Sequence, residues 1–393
     1  MSVSTYPEAT GAPPTRRASI EQVSPSLPVA PPVHVPTAIV YCEGQFGDLD
    51  GKTANGLVRH SEKYEILSVI DSQKAGLDAG AVLDGLPNGI PICHDLTNAI
   101  SRTGTLPDYF IFGLAPASGI LSKNERSLVL EAIGLGMNIV SGLHEFLNDD
   151  PEMVAASTAG DVTMLDVRKP RPKKNLRVFS GRIAEVTCPR IAILGTDCAI
   201  GKRTTATILN HLLNERGINS VMIGTGQTGL MQGARHGIAL DAVPSQFCCG
   251  ELEATIVEAF EAEAPAVIII EGQGALSHPA YSTSSFILRG SCPDAVILQH
   301  APGRSVRCDF ENLPMPTPAS EIALIQAFSD TKVIGLTVNH ENLSTAEANA
   351  FLARYEQEFG IAAADPLLEP DRLLEMVLSN FPQLDERLTA SIQ

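Results

Sequence analysis

Short apolar runs alternate with amphipathic stretches along the chain from residue 37 onward. An unbroken apolar run is typical of a strand covered on both faces, and apolar residues spaced by three or four are typical of a surface helix. We therefore predict strands at 37–41, 66–70, 89–92, 109–114, 138–141 and 161–165, and later at 191–194, 220–224, 266–270, 295–298 and 332–338. Helices are predicted at 54–61, 125–136, 202–215, 347–359 and 370–380.

The segment that joins the strand at 191–194 to the helix at 202–215 has the features of a phosphate-binding loop. Loop N–H groups, a helix N-terminus and a lysine together favour a bound phosphate. The common form has four residues between its glycines and a hydroxyl directly after the lysine. Here five residues separate Gly195 from Gly201, and Arg203 precedes Thr204, so the loop is a variant. A turn without a ligand is the alternative. The candidate contacts are Gly195, Thr196, Gly201, Lys202, Arg203, Thr204 and Thr205.

The alternation of strands and helices predicts an α/β protein with two doubly wound domains and mostly parallel sheets. Residues 37–165 are predicted to form a Rossmann-like domain, and residues 186–393 a domain similar to P-loop NTPases. Residues 1–36 are rich in Pro, Ser and Thr, and we predict a disordered tail there. Residues 166–185 are predicted to be a basic linker between the domains.

Polar side chains follow the predicted strand at 266–270. Glu271 ends this strand, glycines follow, and His278 precedes a proline. Ligands bind at the carboxyl ends of parallel strands, and an acid at this place in phosphate-loop proteins commonly coordinates Mg²⁺. We predict catalytic roles for Glu271 and His278, and Mg²⁺, if it is used, would be held by Glu271 and Thr204. An acid that binds only loop N–H groups and a structural histidine are the alternatives.

Asp197 and Cys198 lie inside the phosphate loop itself. Asp197 is a candidate catalytic base or metal ligand, and the alternative is an aspartate that caps the local turn. A thiol at a helix N-terminus can have a lowered pKa. Because the sequence assigns no base to Cys198, a nucleophilic role for this cysteine is not favoured.

Polar residues after the remaining strands are candidates for substrate binding. Gln227 belongs to a glycine-rich loop after 220–224, Asp241 follows an apolar stretch, and His300 and Arg304 follow the strand at 295–298. A histidine that titrates near neutrality can accept a proton from an amine, and an arginine can bind a carboxylate through two hydrogen bonds. Turn formation, a structural histidine and a surface ion pair are the alternatives.

The composition narrows the classes of function. The formal net charge of −17 argues against general affinity for nucleic acid. The eight cysteines are scattered and form no C-x-x-C pair, which argues against a disulfide framework and a zinc site. The chain has no apolar run of membrane length and no secretory signal, so we expect a cytoplasmic protein. Seven cations lie between Arg168 and Arg182, where they either bind a phosphate-rich ligand or an acidic partner, or are exposed linker charges.

These motifs together resemble those of a bacterial family that joins an N-terminal Rossmann-like domain to a C-terminal P-loop domain. The shared motifs are Glu43-Gly with Gly51-Lys-Thr53, the loop at 195–205, and Glu271-Gly-Gln-Gly-x-x-x-His-Pro279. The loop and the Glu-Gly-Gln-Gly segment are also similar to dethiobiotin synthetase. The characterised members of the bacterial family are D-glutamate N-acetyltransferases that use acetyl-CoA. Gln246 stands where the resemblance implies an aspartate.

The resemblance implies an N-acetyltransferase that moves an acetyl group from acetyl-CoA to the amine of an acidic amino acid such as D-glutamate. The phosphate loop would then bind coenzyme A, and His278 or Glu271 would take the amine proton. Arg304 and the Gln227 loop would bind the carboxylates of the amino acid. The remaining candidate substrate residues are Glu43, Asp241 and His300.

Two other functions stay open at this point. One is an Mg-ATP-dependent ligase or kinase of the dethiobiotin-synthetase type, which the phosphate loop and an acid at a strand end would serve. The other is a nucleotide- or coenzyme-A-binding module without turnover. In each case we expect a homo-oligomer that binds a small molecule, with no nucleic-acid or membrane partner.

Overall fold

A computed structural model of the protein describes residues 35–116 and 118–385. Except for residues 35 and 36, the predicted disordered tail lies outside this part of the chain. The strands of the first half are β1 (Thr37–Tyr41), β2 (Glu65–Ile70), β3 (Ile92–Cys93), β4 (Tyr109–Phe112), β5 (Asn138–Ser141) and β6 (Met164–Asp166). Its α-helices are α1 (Lys52–Arg59), α2 (Ala79–Asp84), α3 (Leu96–Thr103), α4 (Lys123–Gly134) and α5 (Pro151–Gly160).

The first sheet is parallel throughout, with the strand order β3-β2-β1-β4-β5-β6. Its central strands β1 and β4 are apolar and buried because helices cover both faces of the sheet. Side-chain caps fix where several helices begin. Ser122 and Glu125 form a capping box on α4, and Asp150 caps α5. These local signals agree with the Rossmann-like fold predicted for this half.

The second half contains the strands β7 (Arg190–Gly195), β8 (Ser220–Gly224), β9 (His236–Gly237), β10 (Val267–Glu271), β11 (Ala295–His300), β12 (Val306–Arg307), β13 (Phe310–Pro314), β14 (Lys332–Val338) and β15 (Ala362–Ala364). Its α-helices are α6 (Lys202–Glu215), α7 (Gln227–Gln232), α8 (Ser245–Glu263), α9 (Thr283–Ser291), α10 (Pro318–Phe328), α11 (Thr345–Phe359) and α12 (Pro370–Asn380). The parallel sheet has the order β15-β14-β11-β7-β10-β8-β9, and β12 and β13 form a separate antiparallel hairpin.

The inner strand β10 shows why the strands of this sheet have continuously apolar sequences. Ile268 and Ile270 pack into a core on one face of the sheet, which also contains residues of α8. Val267 and Ile269 pack into a second core on the other face, with residues of α6 and α12. Because both faces are covered, no position of the strand can be polar until Glu271 at its carboxyl end. The predicted α/β fold class is confirmed.

Two predicted strands are displaced. The strand predicted at 89–92 is β3, which begins only at Ile92 because Gly89 has a positive φ of 84° and Pro91 has no N–H to donate. The strand predicted at 161–165 is β6, which begins at Met164. Asp161 adopts a left-handed conformation with φ 51° and ends α5, so it cannot start a strand.

The predicted basic linker packs against α8. A Cβ atom on Gly250 of α8 would lie 2.2 Å from the backbone carbon of Val178, so the linker crosses the helix in close contact. The buried Glu251 accepts hydrogen bonds from the backbone N–H and the guanidinium of Arg177, at 2.6 and 3.0 Å. The equally buried Glu253 accepts from two further linker N–H groups.

Most of the linker cations have carboxylate partners within this chain. Ion pairs within 4.0 Å are made by Arg168, Lys169, Arg171, Arg177 and Arg182. Lys173 and Lys174 are exposed and have no ion pair among the described residues. Arg177 docks the linker on α8, whereas Arg171 and Arg182 stay half exposed, so the two roles predicted for these cations stay predictions.

Helix α7 of the second half packs on α1 of the first half. The hydroxyls of Thr53 and Thr228 are 3.0 Å apart and buried. The Gln232 amide donates to the carbonyl oxygens of Gly56 and His60, at 2.6 and 2.8 Å. Met231 is buried within the core of the first sheet. The carboxyl end of β8 is thereby fixed against α1.

Among the described residues, no helix combines the length and apolar character needed to cross a membrane.

Candidate functional site

The loop between β7 and α6 folds closely around the side chain of Lys202. A Cβ atom on Gly195 would lie 2.9 Å from Lys202 Cδ, so only glycine fits at the end of β7. Gly201 has φ 102° and sits at the N-terminus of α6. Lys202 is buried, and its ammonium donates to the carbonyl oxygen of Asp197. Burial lowers the pKa of Lys202. This strand, loop and helix have the order that the sequence predicts for phosphate binding.

Two loop hydroxyls brace the loop from the sheet side. Thr196 Oγ1 shares a hydrogen bond of 2.8 Å with Nδ1 of the buried His300. Thr205 Oγ1 donates to Gln299 Oε1 at 2.6 Å. Burial lowers the pKa of His300 to about 4, so this histidine is uncharged at neutral pH. Within the described residues Thr204 is left with a half-buried hydroxyl that makes no hydrogen bond.

Arg203 extends from the loop toward the first half of the molecule. A Cβ atom on Gly56 of α1 would lie 2.7 Å from Arg203 Nη2, so the guanidinium lies directly over that helix. Burial lowers the pKa of Arg203, although the negative charge of Glu271 opposes this shift. The guanidinium makes no hydrogen bond with the described residues. Lys52, the exposed first residue of α1, is close enough to Cys198 that its charge favours the thiolate.

Glu271 holds the loop after β8. Its Oε2 accepts from the backbone N–H groups of Thr225 and Gly226, at 2.8 and 3.3 Å, and Thr225 Oγ1 donates to the Glu271 carbonyl oxygen at 2.8 Å. Burial raises the pKa of Glu271. Both hydrogen bonds of the carboxylate are accepted by Oε2 from loop N–H groups, as expected for an acid with a structural role. Ligation of Mg²⁺ by Glu271 and Thr204 stays a prediction.

Asp197 and His278 place two polar atoms without hydrogen bonds next to each other. Asp197 Oδ2 accepts from the Cys308 N–H at 2.6 Å, whereas Asp197 Oδ1 has no hydrogen bond. His278 Nε2, also without a partner, lies 3.5 Å from this oxygen. The other ring nitrogen, Nδ1, accepts from the Ala280 N–H at 3.2 Å. Both side chains are fully buried, and burial lowers the pKa of His278.

Arg307, which the sequence analysis did not single out, lies beside this pair. Its Nη1 is 3.8 Å from Asp197 Oδ1, and its Nη2 donates to Ser277 Oγ at 2.8 Å. Ser277 in turn donates to the buried Glu321. Arg307 belongs to the two-residue strand β12, whose sequence has no periodicity that could have indicated its position.

Asp197, Cys198 and His278 form a group that could supply metal ligands, with the relevant atoms within 4.8 Å of one another. Their surroundings do not favour a cation. The His278 ring is set to carry a proton on Nε2, and the positive charges of Lys202 and Arg307 act on the same site. Burial raises the pKa of Cys198, so the thiol stays protonated. A nucleophilic thiolate is therefore not favoured either.

Arg304 clamps the phosphate loop. It forms an ion pair with Glu341 and donates to the carbonyl oxygens of Cys198 and Ala199, at 3.2 and 2.9 Å. Ala199 has a positive φ of 49°, so these bonds hold a loop conformation that non-glycine residues seldom adopt. Arg304, which was predicted to bind a substrate carboxylate, thus makes its hydrogen bonds with groups of the protein itself.

Gln227 and Asp241 meet at the boundary between the two halves. Asp241 forms an ion pair of 2.6 Å with Arg168 of the linker. In the amide orientation that satisfies both neighbours, Gln227 donates to the Gly142 carbonyl at 2.6 Å and accepts from Arg168 at 3.0 Å. His144 also accepts from Arg168. These contacts join the halves, and substrate binding by Gln227 and Asp241 stays a prediction.

Glu43 braces the first sheet. Its carboxylate accepts from the Ser72 backbone N–H at 2.8 Å and from the Ser72 hydroxyl. Its hydrogen bonds with the described residues are therefore made within the first half, away from the loop at 195–205. A substrate contact by Glu43 stays a prediction.

Two family models match consecutive parts of the chain. A model described as the P-loop domain of a domain of unknown function, DUF1611, matches residues 177–374. A second model, described as the Rossmann-like domain of DUF1611, matches residues 72–170. The predicted combination of domain types is confirmed, whereas the domain boundaries proposed above stay predictions.

Two curated relatives carry the name D-glutamate N-acetyltransferase. The protein from Pseudoalteromonas sp. is 34% identical over 264 residues, which is 66% of this chain and 77% of the relative. The protein from Tritonibacter scottomollicae is 32% identical over 262 residues, 65% of this chain and 76% of the relative. The crystal structure of a DUF1611 family protein from Anabaena variabilis is 30% identical, with a TM-score of 0.80 over 88% of this chain and 99% of that chain.

Proposed function

Because the chain belongs to the DUF1611 family, we propose that it is an N-acetyltransferase that moves an acetyl group from acetyl-CoA to the amine of an acidic amino acid. The name shared by the two curated relatives supports the reaction class. The observation that carries the proposal is the buried pair of Asp197 Oδ1 and His278 Nε2 beside the phosphate loop. Amide formation needs one group that accepts a proton and one that donates a hydrogen bond, and this pair supplies both.

The phosphate loop is the proposed binding site for the phosphates of the acyl donor. Lys202 supplies a buried charge whose hydrogen bond to the Asp197 carbonyl can be exchanged for one to a phosphate oxygen. Arg203 and Thr204 have polar groups without hydrogen bonds in the described structure, and the N-terminus of α6 adds positive potential. Asp197 belongs to the same loop, so the flexible pantetheine arm must bend back over the phosphates to bring the thioester to it.

The amino-acid acceptor is proposed to bind where the phosphate loop faces α1. The amine would approach Asp197, the buried acceptor of the site. Lys52 on α1 and Arg203 on α6 have charged groups that are not neutralised by ion pairs with the described residues. Cations of this kind favour a substrate with a second carboxylate, as in glutamate or aspartate. The shared name of the relatives makes D-glutamate the first acceptor to test.

Thiol release measures this function directly. The purified full chain is incubated with acetyl-CoA and one of D-glutamate, L-glutamate, D-aspartate or D-alanine, and free thiol and the N-acetyl product are quantified. We expect turnover with an acidic amino acid and little with alanine. A protein that releases no thiol with any acidic amino acid is not the proposed acetyltransferase. Tight binding of coenzyme A without turnover would indicate a binding module.

An Mg-ATP-dependent ligase or kinase is the second candidate, and Glu271 at the carboxyl end of β10 is the observation that favours it. An acid at this position beside a phosphate loop can hold Mg²⁺ directly or through water. ADP formation that requires Mg²⁺ and a carboxylate substrate would support this function. Calorimetry that detects binding of coenzyme A but none of ATP would exclude it.

A further inference from the structure

The buried Asp197–His278 pair places a hydrogen-bond donor and an acceptor side by side. The atoms Asp197 Oδ1 and His278 Nε2 are 3.5 Å apart, and neither has a hydrogen-bond partner. A buried polar atom without a partner costs about 1–3 kcal/mol. Each such atom in a folded protein calls for an explanation, such as a catalytic role or a bound water, ion or ligand. Two of them side by side next to the phosphate loop are the basis for placing a ligand with complementary groups here.

We propose that this pair binds the tetrahedral adduct of acetyl transfer, with His278 donating to the oxyanion and Asp197 accepting from the amine nitrogen. The assignment rests on the proposed acetyltransferase function. It gives His278 a donor role in place of the proton-accepting role predicted from the sequence. It makes Asp197 the group that accepts the amine proton. From the sequence, Asp197 was either a catalytic base or metal ligand, or an aspartate that caps the local turn.

The hydrogen bond at the far side of the imidazole determines the donor role. Nδ1 accepts from the Ala280 N–H at 3.2 Å, so the neutral ring carries its proton on Nε2, the atom that faces Asp197. The ring stacks on Tyr281 with centroids 4.6 Å apart, and it meets Phe310 in an edge-to-face arrangement with centroids 5.6 Å apart. A base at Nε2 would need the other tautomer and would break the bond to Ala280.

The geometry of the pair suits the adduct better than the product. In a planar trans amide, the N–H and the C=O point to opposite sides, so the product cannot bond to two neighbouring atoms at once. In the adduct, oxygen and nitrogen share one tetrahedral carbon and lie about 2.4 Å apart for ordinary bond lengths. Both can then face the pair. Stronger binding of the adduct than of the substrates lowers the barrier, and the poor fit of the planar product favours its release.

Arg307 adds a positive charge beside the developing oxyanion. Its Nη1 lies 3.8 Å from Asp197 Oδ1, and the guanidinium is held by Ser277 and by the Thr196 carbonyl. The distance is too long for a hydrogen bond to Asp197, so the carboxylate oxygen stays available to the amine.

The reaction balances with the proposed substrates alone. The free amine attacks the acetyl carbon, a C–N bond forms, and the carbonyl π electrons move to the oxygen, which His278 Nε2–H stabilises. The proton of the new C–N nitrogen passes to Asp197 Oδ1. Collapse of the oxyanion breaks the C–S bond. The departing thiolate of coenzyme A takes the proton from Asp197, which regenerates the carboxylate.

Two substitutions separate a donor from a base at position 278. In His278→Gln the amide nitrogen can reach the place of Nε2 and donate, but it cannot take up a proton. In His278→Phe the ring and its stacking on Tyr281 are kept and the donor is lost. We expect kcat to fall less than about tenfold for the glutamine variant and about 10²–10³-fold for the phenylalanine variant. Equal losses in two variants with wild-type thermal unfolding would overturn the proposal.

Nitrogen-15 NMR of the resting wild-type protein tests the tautomer without turnover. The chain has nine histidines, and the His278→Gln spectrum identifies the signal of His278. We expect the proton on Nε2 at neutral pH, and a proton on Nδ1 or a charged ring contradicts the inference. A protein with the expected tautomer that releases no thiol from acetyl-CoA contradicts the proposed function. A protein that transfers acetyl groups with the proton on Nδ1 contradicts this inference alone.

Discussion

Each sheet has a glycine-containing loop after an early central strand, and the two loops differ in how their polar groups are satisfied. The loop at 42–51, after β1, is closed by the protein itself. Asp71 accepts from the N–H groups of Phe46 and Gln73, at 3.1 and 3.0 Å. Glu43 is bonded to the loop after β2.

The loop at 196–201, after β7, is closed on the sheet side and open on the other. His300 bonds to Thr196, but the buried atoms Asp197 Oδ1 and His278 Nε2 make no hydrogen bond with the described residues. Both loops read alike in sequence, with glycines and an acid near a strand end. The difference teaches that the tertiary contacts of a loop, rather than its motif, show which polar atoms stay available to a ligand, and ligand binding by the second loop stays our proposal.

The largest effect is expected from Asp197→Asn in the open loop. Removing the proposed proton acceptor should lower kcat by about 10³-fold. Because Asp197 Oδ1 is a buried charge 3.8 Å from the Arg307 guanidinium, its loss should also lower the free energy of unfolding by about 3 kcal/mol, so kcat is compared per folded molecule. Steady-state kinetics and urea unfolding measure the two quantities. A variant that keeps more than a tenth of the wild-type kcat would assign proton transfer to another group.

The next largest effect concerns the sheet side of the open loop. Burial lowers the pKa of His300 to about 4, so the folded protein keeps the ring neutral while the unfolded chain binds a proton below its ordinary pKa of about 6.5. The unfolded state then holds more protons, and stability is lost as the pH falls from about 6.5 to 4. The loss is about 3 kcal/mol.

Urea unfolding at several pH values, compared with His300→Gln, isolates this contribution. The variant should show a shallower loss of stability over the same pH range, whatever its stability at neutral pH. Parallel curves for the two proteins would mean that His300 does not stay neutral in the folded state.

Lys202→Ala tests whether the second loop binds the phosphates of coenzyme A. Loss of a buried charge that bonds a phosphate should weaken coenzyme A binding by about 100-fold. Lys332→Ala is the matched control, because Lys332 is exposed and begins β14 at the opposite edge of the same sheet. Calorimetry should detect the loss only in the first variant. Equal affinities in the two variants would remove phosphate binding from the loop.

The smallest of these effects is expected from Asp71→Asn in the closed loop. The amide replaces one carboxylate oxygen by a donor that faces a backbone N–H, which should lower the free energy of unfolding by about 2 kcal/mol. The value of kcat per folded molecule should match the wild type. A variant that is stable but inactive would mean that the first loop also takes part in the reaction.

The sequence predicted the fold because the strands are buried on both faces and therefore apolar throughout. It could not predict the docking of the linker on α8, since Arg177 and its partner Glu251 are 74 residues apart and belong to different elements. The pattern of apolar and polar residues within one segment does not show which distant side chain a residue contacts. The same holds for the position of α7 in the core of the first half.

Within the candidate site, the sequence predicted loops that the structure places at the carboxyl ends of the strands, but it could not rank neighbouring side chains. Arg304 was preferred as a carboxylate ligand, yet it holds loop carbonyls, whereas Arg307 lies beside Asp197. His278 and His300 both follow strands, and only the structure shows that His300 is bonded to Thr196. Such differences depend on tertiary contacts, which a single sequence does not show.

A crystal structure with coenzyme A and an N-acetylated acidic amino acid tests the central claim most directly. We predict phosphate oxygens bound by the loop at 195–205, the Lys202 ammonium moved from the Asp197 carbonyl to a phosphate, and a bent pantetheine arm with its sulfur beside Asp197 and His278. Coenzyme A bound elsewhere, with Lys202 still on the Asp197 carbonyl and nothing against the Asp197–His278 pair, would contradict the account.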